Sequence, residues 1–265
     1  MSNIFASFIT PVRVEAIKPH EVGYKTKHRL HKLERCIKSI GGYTSKSKAY
    51  EHVIIDDNST EKKVFKLYRK WKKEWPYNIQ IKPFKDHLER IYAFNAGMLS
   101  AQGEWIIHLD SDDVMKPNFK EEFEKMVKEH QDANLFVWKG DIVWQDGKVT
   151  ERSLFRPAMK DNGQCEIFKS GVVFSGGFAF KKSCLNVTGY LPQPRLEEAT
   201  SPYAFGRIFL NTYDELKPLY TMLDGHLKTD IGNPWGQDFA MVYMLTRHWM
   251  PYSINKSLHT TYVRP

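Results

Sequence analysis

"WIIHLDSDDV", residues 105–114, decides how this chain is read. An apolar run, Trp105-Ile106-Ile107-His108-Leu109, stops abruptly at Asp110-Ser111-Asp112-Asp113. A short apolar run bounded by polar residues has the pattern of a buried strand. Carboxylates at the end of such a strand are costly unless they lie in water just outside the sheet or a cation pairs with them. A second segment repeats the arrangement, with Val53-Ile54-Ile55 running into Asp56-Asp57-Asn58-Ser59.

Outward from these two segments, strand and helix alternate. Residues 4–9 read as a strand closed by Thr10-Pro11. Leu30, Leu33, Ile37 and Ile40 give residues 28–40 a helical stripe. Ser59 or Thr60 is placed to cap a helix with Val64, Leu67, Tyr68, Trp71 and Trp75 on its apolar side. A strand at 79–81, a helix at 88–100 and a strand at 105–109 follow. A further helix after Pro117 carries Phe119, Phe123, Met126 and Val127. This alternation implies an α/β fold, a mostly parallel sheet flanked by helices. Ligands of such sheets bind at the carboxyl ends of the strands, where both acidic clusters fall. The second half is less regular. It offers a hairpin over 135–144 turning at Asp146-Gly147, a strand at 178–180, long loops over 190–234 and a helix at 237–247. The expectation is one compact domain over 1–265, its second half built onto the first.

With 265 residues, 42% apolar and 14% aromatic, the composition is that of a globular protein. No apolar run approaches the roughly 18–20 residues of a membrane span. The N-terminal residues lack a basic region followed by a long apolar one, so no signal peptide is expected. Cys36, Cys165 and Cys184 show neither metal-binding spacing nor a disulfide framework, which points to a reducing, cytoplasmic setting. A net charge of +8 favours an anionic partner: a nucleotide, a nucleic acid, a phosphorylated saccharide or a membrane surface met peripherally. Much of that charge lies on one predicted helix, in Lys62, Lys63, Lys66, Arg69, Lys70, Lys72 and Lys73, and reads as a solvated face.

In an extended segment Asp110 and Asp112 point the same way and can share one hard cation, Mg²⁺ or Mn²⁺, with phosphate oxygens completing the shell. The alternative is a polar turn, with Asp113 near the start of the next helix. Asp56-Asp57 likewise reads either as an ordinary turn or as an acceptor for a base N–H or a ribose hydroxyl.

Taken in order, Phe8-Ile9-Thr10-Pro11, "VIIDDNST" at 53–60, "RIYAFNAGMLSAQGEWIIHLDSDDVMKPN" at 90–118 and "WGQDFAMVYML" at 235–245 resemble the inverting glycosyltransferases of family 2. That resemblance implies the GT-A fold, with residues 1–115 as the nucleotide-sugar-binding half and 116–265 as the acceptor-binding half. It implies that Thr10 and Pro11 line the nucleotide pocket and that Asp57 contacts a uracil, with Asp56 nearby. Arg90, Asn95 and Ser111 are then expected beside the diphosphate or nucleotide. Asp110 and Asp112 form the DXD pair, Asp112 being the firmer ligand, and Asp113 contacts the donor sugar or caps a helix. His259 becomes a candidate third metal ligand. The family's general base is the second acid of a Glu-Asp pair. Here the pair reads Gln237-Asp238, which leaves Asp238 as base, with Gly236 before it permitting close approach of a substrate.

The implied reaction is metal-dependent transfer of one sugar from a UDP-sugar to an acceptor hydroxyl, with inversion and without a covalent intermediate. A cell-envelope saccharide or glycolipid is the expected acceptor, and modified DNA a second one that the charge allows. Processive members carry Gln-x-x-Arg-Trp and membrane helices. This chain has Leu245-Thr246-Arg247-His248-Trp249 and no such helices, which suits single addition. His108 is expected to pack within the sheet, and Ser175-Gly176-Gly177 to let substrate approach the backbone. Tyr203, Asp224, His226, Asp230 and Trp235 are candidate acceptor contacts. Two other classes remain in view. One is a polyanion- or nucleic-acid-binding module on a transferase scaffold. The other is a nucleotidyltransferase, which would release pyrophosphate in place of a nucleoside diphosphate.

Overall fold

A computed structural model describes residues 4–16, 24–44, 49–74, 79–144, 146–152, 158–159, 164–166, 177–191 and 237–262. Strands β1 (Ala6–Val12), β2 (Tyr50–Asp56), β3 (Ile79–Pro83) and β4 (Trp105–His108) alternate with helices α1 (Tyr24–Thr44), α2 (Lys62–Glu74) and α3 (Glu89–Ser100). A short β5 (Val114–Met115), helix α4 (Phe119–Glu129) and the hairpin β6 (Leu135–Val143) and β7 (Val149–Arg152) follow. Then come β8 (Ala158–Met159), β9 (Cys165–Glu166), β10 (Phe178–Lys181), a 3₁₀ turn at Lys182–Cys184, α5 (Leu185–Thr188), α6 (Gln237–Thr246) and β11 (Tyr252–Tyr262).

Nine strands join in one sheet, ordered β3-β2-β1-β4-β10-β6-β11-β5, with β7 beside β6. β3, β2, β1 and β4 are mutually parallel. β10 runs antiparallel between β4 and β6, so β6 and its parallel neighbour β11 point the same way as β4. The strand order reverses at β1, which puts a crevice at the carboxyl ends of β1 and β4.

The strands form because they are buried on both faces: every residue of β1, β2 and β4 is buried. One face packs Phe8, Trp105 and Ile107 against Ile40 of α1 and Phe119 and Phe123 of α4. The other packs Ile9 and Ile106 against Phe94 and Met98 of α3 and Met241 and Leu245 of α6. Gly97 is what lets α3 lie so close, since a Cβ there would stand 2.2 Å from Cγ2 of Ile9. β1 continues through Pro11, which the sequence marks as a stop. β4 pairs only with Ala6–Ile9, so at Pro11 the ladder needs no donor on that side.

Local structure departs from the sequence pattern at two further places. Ser59 and Thr60 do not cap α2. Their hydroxyls accept from Val14 N at 2.9 Å and Ala16 N at 2.8 Å, tying down the exit of β1, while Glu61 accepts from Lys63 N. β11, with the pattern Tyr-Ser-Ile-Asn-Lys-Ser-Leu-His-Thr-Thr-Tyr, escapes detection because Lys256 and Thr260 interrupt its apolar alternation, and register shifts flank Ser257. The seven cations of α2 are exposed, while Val64, Tyr68 and Trp71 face the core. Among the described residues no helix is long and apolar enough to cross a membrane.

Candidate active site

The two acidic clusters lie at the carboxyl edge of the sheet, after β2 and after β4. Their side chains are held differently. Asp56 is buried, accepting from Ser59 N at 2.7 Å and from the Tyr68 hydroxyl at 2.5 Å. Burial and the Asp56 charge raise the pKa of that hydroxyl well above its usual value. Asp56 thus closes the turn after β2 by accepting from the backbone three residues on, and Asn58 within that turn takes a left-handed φ of +56°. Asp57 is also buried. Its Oδ2 is 2.6 Å from Nδ1 of His87, and its Oδ1 accepts from Leu88 N at 2.7 Å. It therefore anchors the loop between β3 and α3, two partners that the sequence pattern does not reveal.

Residues 110–113 form a turn closed by Asp113 N donating to Asp110 O at 3.0 Å. The extended geometry expected for Asp110-Ser111-Asp112 is absent, and the two acids meet different cations. Asp110 pairs with Arg90 of α3, and its Oδ1 lies 3.5 Å from Nε2 of buried His108. Asp112 Oδ2 lies 3.8 Å from Nζ of Lys32 on α1. Both carboxylates keep 21% of their side-chain surface exposed. Ser111 at the turn is part exposed. Asp113 turns inward instead. Burial, then the charges of Asp110 and Asp112, hold its carboxyl well above the usual range, against a hydrogen bond from Thr261. It lies outside the first turn of α4, which begins at Phe119, so it caps no helix.

α1 forms the back wall of this turn. Lys32, Cys36 and Ser39 share a face at i, i+4 and i+7. Cys36 Sγ donates to Asp110 O at 3.4 Å, and Ser39 Oγ accepts from Met115 N at 3.1 Å. Burial and the neighbouring carboxylates push the Cys36 thiol well above its ordinary pKa, so it stays protonated and donates. None of the three stands out among the apolar residues of α1, though their 4-then-3 spacing is the signal that could have marked them.

The other expected site residues are placed as follows. Thr10 is fully buried, its hydroxyl 2.8 Å from Nε2 of His52, so its side chain does not line an open pocket. Pro11 is buried beside it in β1. Asn95 is buried as well. Its amide donates to Leu191 O at 2.9 Å and accepts from Leu191 N at 3.2 Å, which spends both ends on one backbone residue. His108 packs in the sheet as expected, its ring 4.1 Å from that of Phe94.

His259 sits in β11 opposite Met115 and Gly140 and is buried. A Cβ on Gly140 would lie 2.3 Å from the His259 ring, so the imidazole fills the space that glycine leaves. Among the described residues no three His, Cys, Asp or Glu side chains gather to hold a metal, so His259 does not join Asp110 and Asp112 in this conformation. The oxygen donors of Asp110 and Asp112, partly exposed at the crevice, still suit a hard divalent cation whose other ligands come from phosphate and water. Asp238 lies in the first turn of α6. Ser175, Gly176, Tyr203, Asp224, His226, Asp230, Trp235 and Gly236 lie outside the described residues, whereas Gly177 accepts from Trp138 N at 2.9 Å.

Residues 24–188 match the family model described as glycosyl transferase family 2. No curated protein matches in sequence. Among solved structures, S. aureus TarS 1–349 in complex with UDP superposes with a TM-score of 0.63 at 15% identity, covering 99% of this chain and 61% of that one. The complex of the same fragment with UDP-GlcNAc gives 0.63 at 14% identity, covering 99% and 59%. S. aureus TarS in its longer form gives 0.62 at 15% identity, covering 99% and 37%. The chain thus spans about three fifths of the shorter TarS structures, and at this identity the likeness is one of fold.

Proposed function

This chain belongs to glycosyl transferase family 2 and has the GT-A fold, and from that membership we propose that it transfers one sugar from a UDP-sugar to an acceptor hydroxyl with inversion. The observation that carries the reading is the pair of partly exposed carboxylates, Asp110 and Asp112, at the crevice where the strand order reverses. The TarS complexes with UDP and UDP-GlcNAc support the choice of nucleotide. The sheet that runs through both halves supports reading 1–265 as one unit, with 1–115 holding the nucleotide-sugar and 116–265 facing the acceptor.

In this reading Asp110 and Asp112 hold Mn²⁺ or Mg²⁺. When bound, the cation offsets the charge that builds on the departing diphosphate. Arg90 reaches the same phosphates from α3, and Asp57 keeps the loop at His87 and Leu88 in place beside the base. Asp238 accepts the proton of the acceptor hydroxyl on its carboxylate. The acceptor oxygen then bonds to the anomeric carbon as the bond from that carbon to the diphosphate oxygen breaks, and UDP leaves. The place of Asp238 at the start of α6, as the second member of the family's acid pair, supports this role. The acceptor is a saccharide or glycolipid hydroxyl, with modified DNA as the second candidate.

The test is release of nucleoside diphosphate from a panel of nucleotide-sugars with Mn²⁺ and no acceptor. Slow release from UDP-sugars, lost with chelator and in Asp112→Ala, is the expected result. Pyrophosphate as the product, or release that is indifferent to both controls, would overturn the proposal.

A further inference from the structure

We propose that Lys32 is the resident counter-ion of Asp112 and makes cation binding at the acidic turn depend on a bound nucleotide diphosphate. The inference rests on the reading of Asp110 and Asp112 given above and adds a residue to it. Lys32 is only 5% exposed, and its ammonium stands 3.8 Å from Asp112 Oδ2. The buried apolar stripe of α1, Leu33, Ile37 and Ile40, runs beside it. A helix gains nothing from a cation in such a stripe unless an anion faces it, because burying an ammonium is costly.

The same face of α1 grips the turn at two further points, through Cys36 on Asp110 O and Ser39 on Met115 N. Lys32 is therefore fixed relative to the turn, whereas Arg90, whose side chain is 48% exposed, can swing into water. Lys32 and Arg90 together balance the charges of Asp112 and Asp110. A divalent cation arriving alone would leave that balanced cluster with a net positive charge, and like charges held about 4 Å apart repel. A diphosphate arriving with it supplies the missing negative charge and gives Lys32 a second anion to face. Lys32 is in this sense a positioning residue. It holds Asp112 ready and sets the order in which ligands enter.

The test measures Mn²⁺ affinity of the full chain by titration, with and without UDP, in wild type, Lys32→Met and Lys32→Arg. In wild type, Mn²⁺ alone should bind weakly and UDP should tighten it. Lys32→Met should bind Mn²⁺ alone about tenfold more tightly, with a correspondingly smaller gain from UDP, and Lys32→Arg should follow wild type. A merely structural lysine would instead lower affinity or leave it unchanged when replaced, and either result overturns the proposal. If Lys32→Met fails to fold, Lys32→Gln is read in its place by the same criterion. Absence of UDP-dependent Mn²⁺ binding in wild type would instead sink the metal-dependent reading on which the proposal stands.

Discussion

At the amino edge of the sheet, buried Glu51 accepts from the Ser7 hydroxyl at 2.6 Å, from Gln102 N at 2.6 Å and from the Gln80 amide at 2.7 Å. At the carboxyl edge, Asp110 and Asp112 face Arg90 and Lys32. The first carboxylate is held by three neutral donors fixed to strands and backbone. It closes the turn between α3 and β4, where Gly103 N also donates to the Ser7 hydroxyl at 2.9 Å. The other two are paired with cations across a turn and remain partly exposed. A carboxylate enclosed by neutral donors is committed to the fold, because releasing it would strand them. A carboxylate paired with charges can exchange one cation for another. One sheet thus uses buried acid for cohesion at one end and for exchangeable binding at the other.

The largest expected effect is on the committed side. Glu51→Ala should lower unfolding free energy by about 3 kcal/mol or more, measured by urea denaturation, because three donors lose their acceptor. If it costs less than about 1 kcal/mol, the contrast between the edges fails. Asp110→Asn should do the reverse. It should cut UDP release on the order of 10²-fold, yet shift stability by less than about 1 kcal/mol, since its partner Arg90 is half exposed. Gly103→Ala sharpens the amino edge further. Its Cβ would stand 2.6 Å from the Ser7 hydroxyl oxygen and 2.8 Å from the backbone of Ala6. The loss should be about 2 kcal/mol, by the usual cost of overpacking.

The smallest effect is a pH dependence between the edges. Burial lowers the pKa of His52 to about 3. The unfolded chain takes up this proton near pH 6.5 and the folded chain does not, so stability must fall as the pH drops from about 6.5 toward 3. The slope from this residue is about 1.4 kcal/mol per pH unit at most. His52→Gln should flatten the profile between pH 6 and 5 by about that slope. An unchanged profile would show that the group takes no part.

Much of this was legible in the sequence. The alternation of strand and helix through Glu129, the placement of both acidic clusters at carboxyl ends, the hairpin over 135–144 turning at Asp146-Gly147 and the helix at 237–247, which ends one residue earlier at Thr246, follow from apolar period and turn residues. β5 and β11 were not legible, because one has two residues and the other breaks its own alternation. At the site, the residue types pointed to the right turns but not to their partners. Asp56 reads as easily as a ligand as it does as the turn-closing acid it is. Asn95 gives no sign that Leu191, far along the chain, takes both ends of its amide. The spacing of Lys32, Cys36 and Ser39 puts them on one face of α1, but nothing in it names the acidic turn as what they face. Partners distant in sequence are set by topology, which local pattern does not encode.

The most direct test of the exchangeable edge is anomalous scattering from Mn²⁺ in crystals grown with UDP. A single strong peak beside the carboxylates of Asp110 and Asp112, next to the diphosphate, is the expected result. UDP seated at the carboxyl edge with no peak there, and Arg90 and Lys32 still on Asp110 and Asp112, would contradict it.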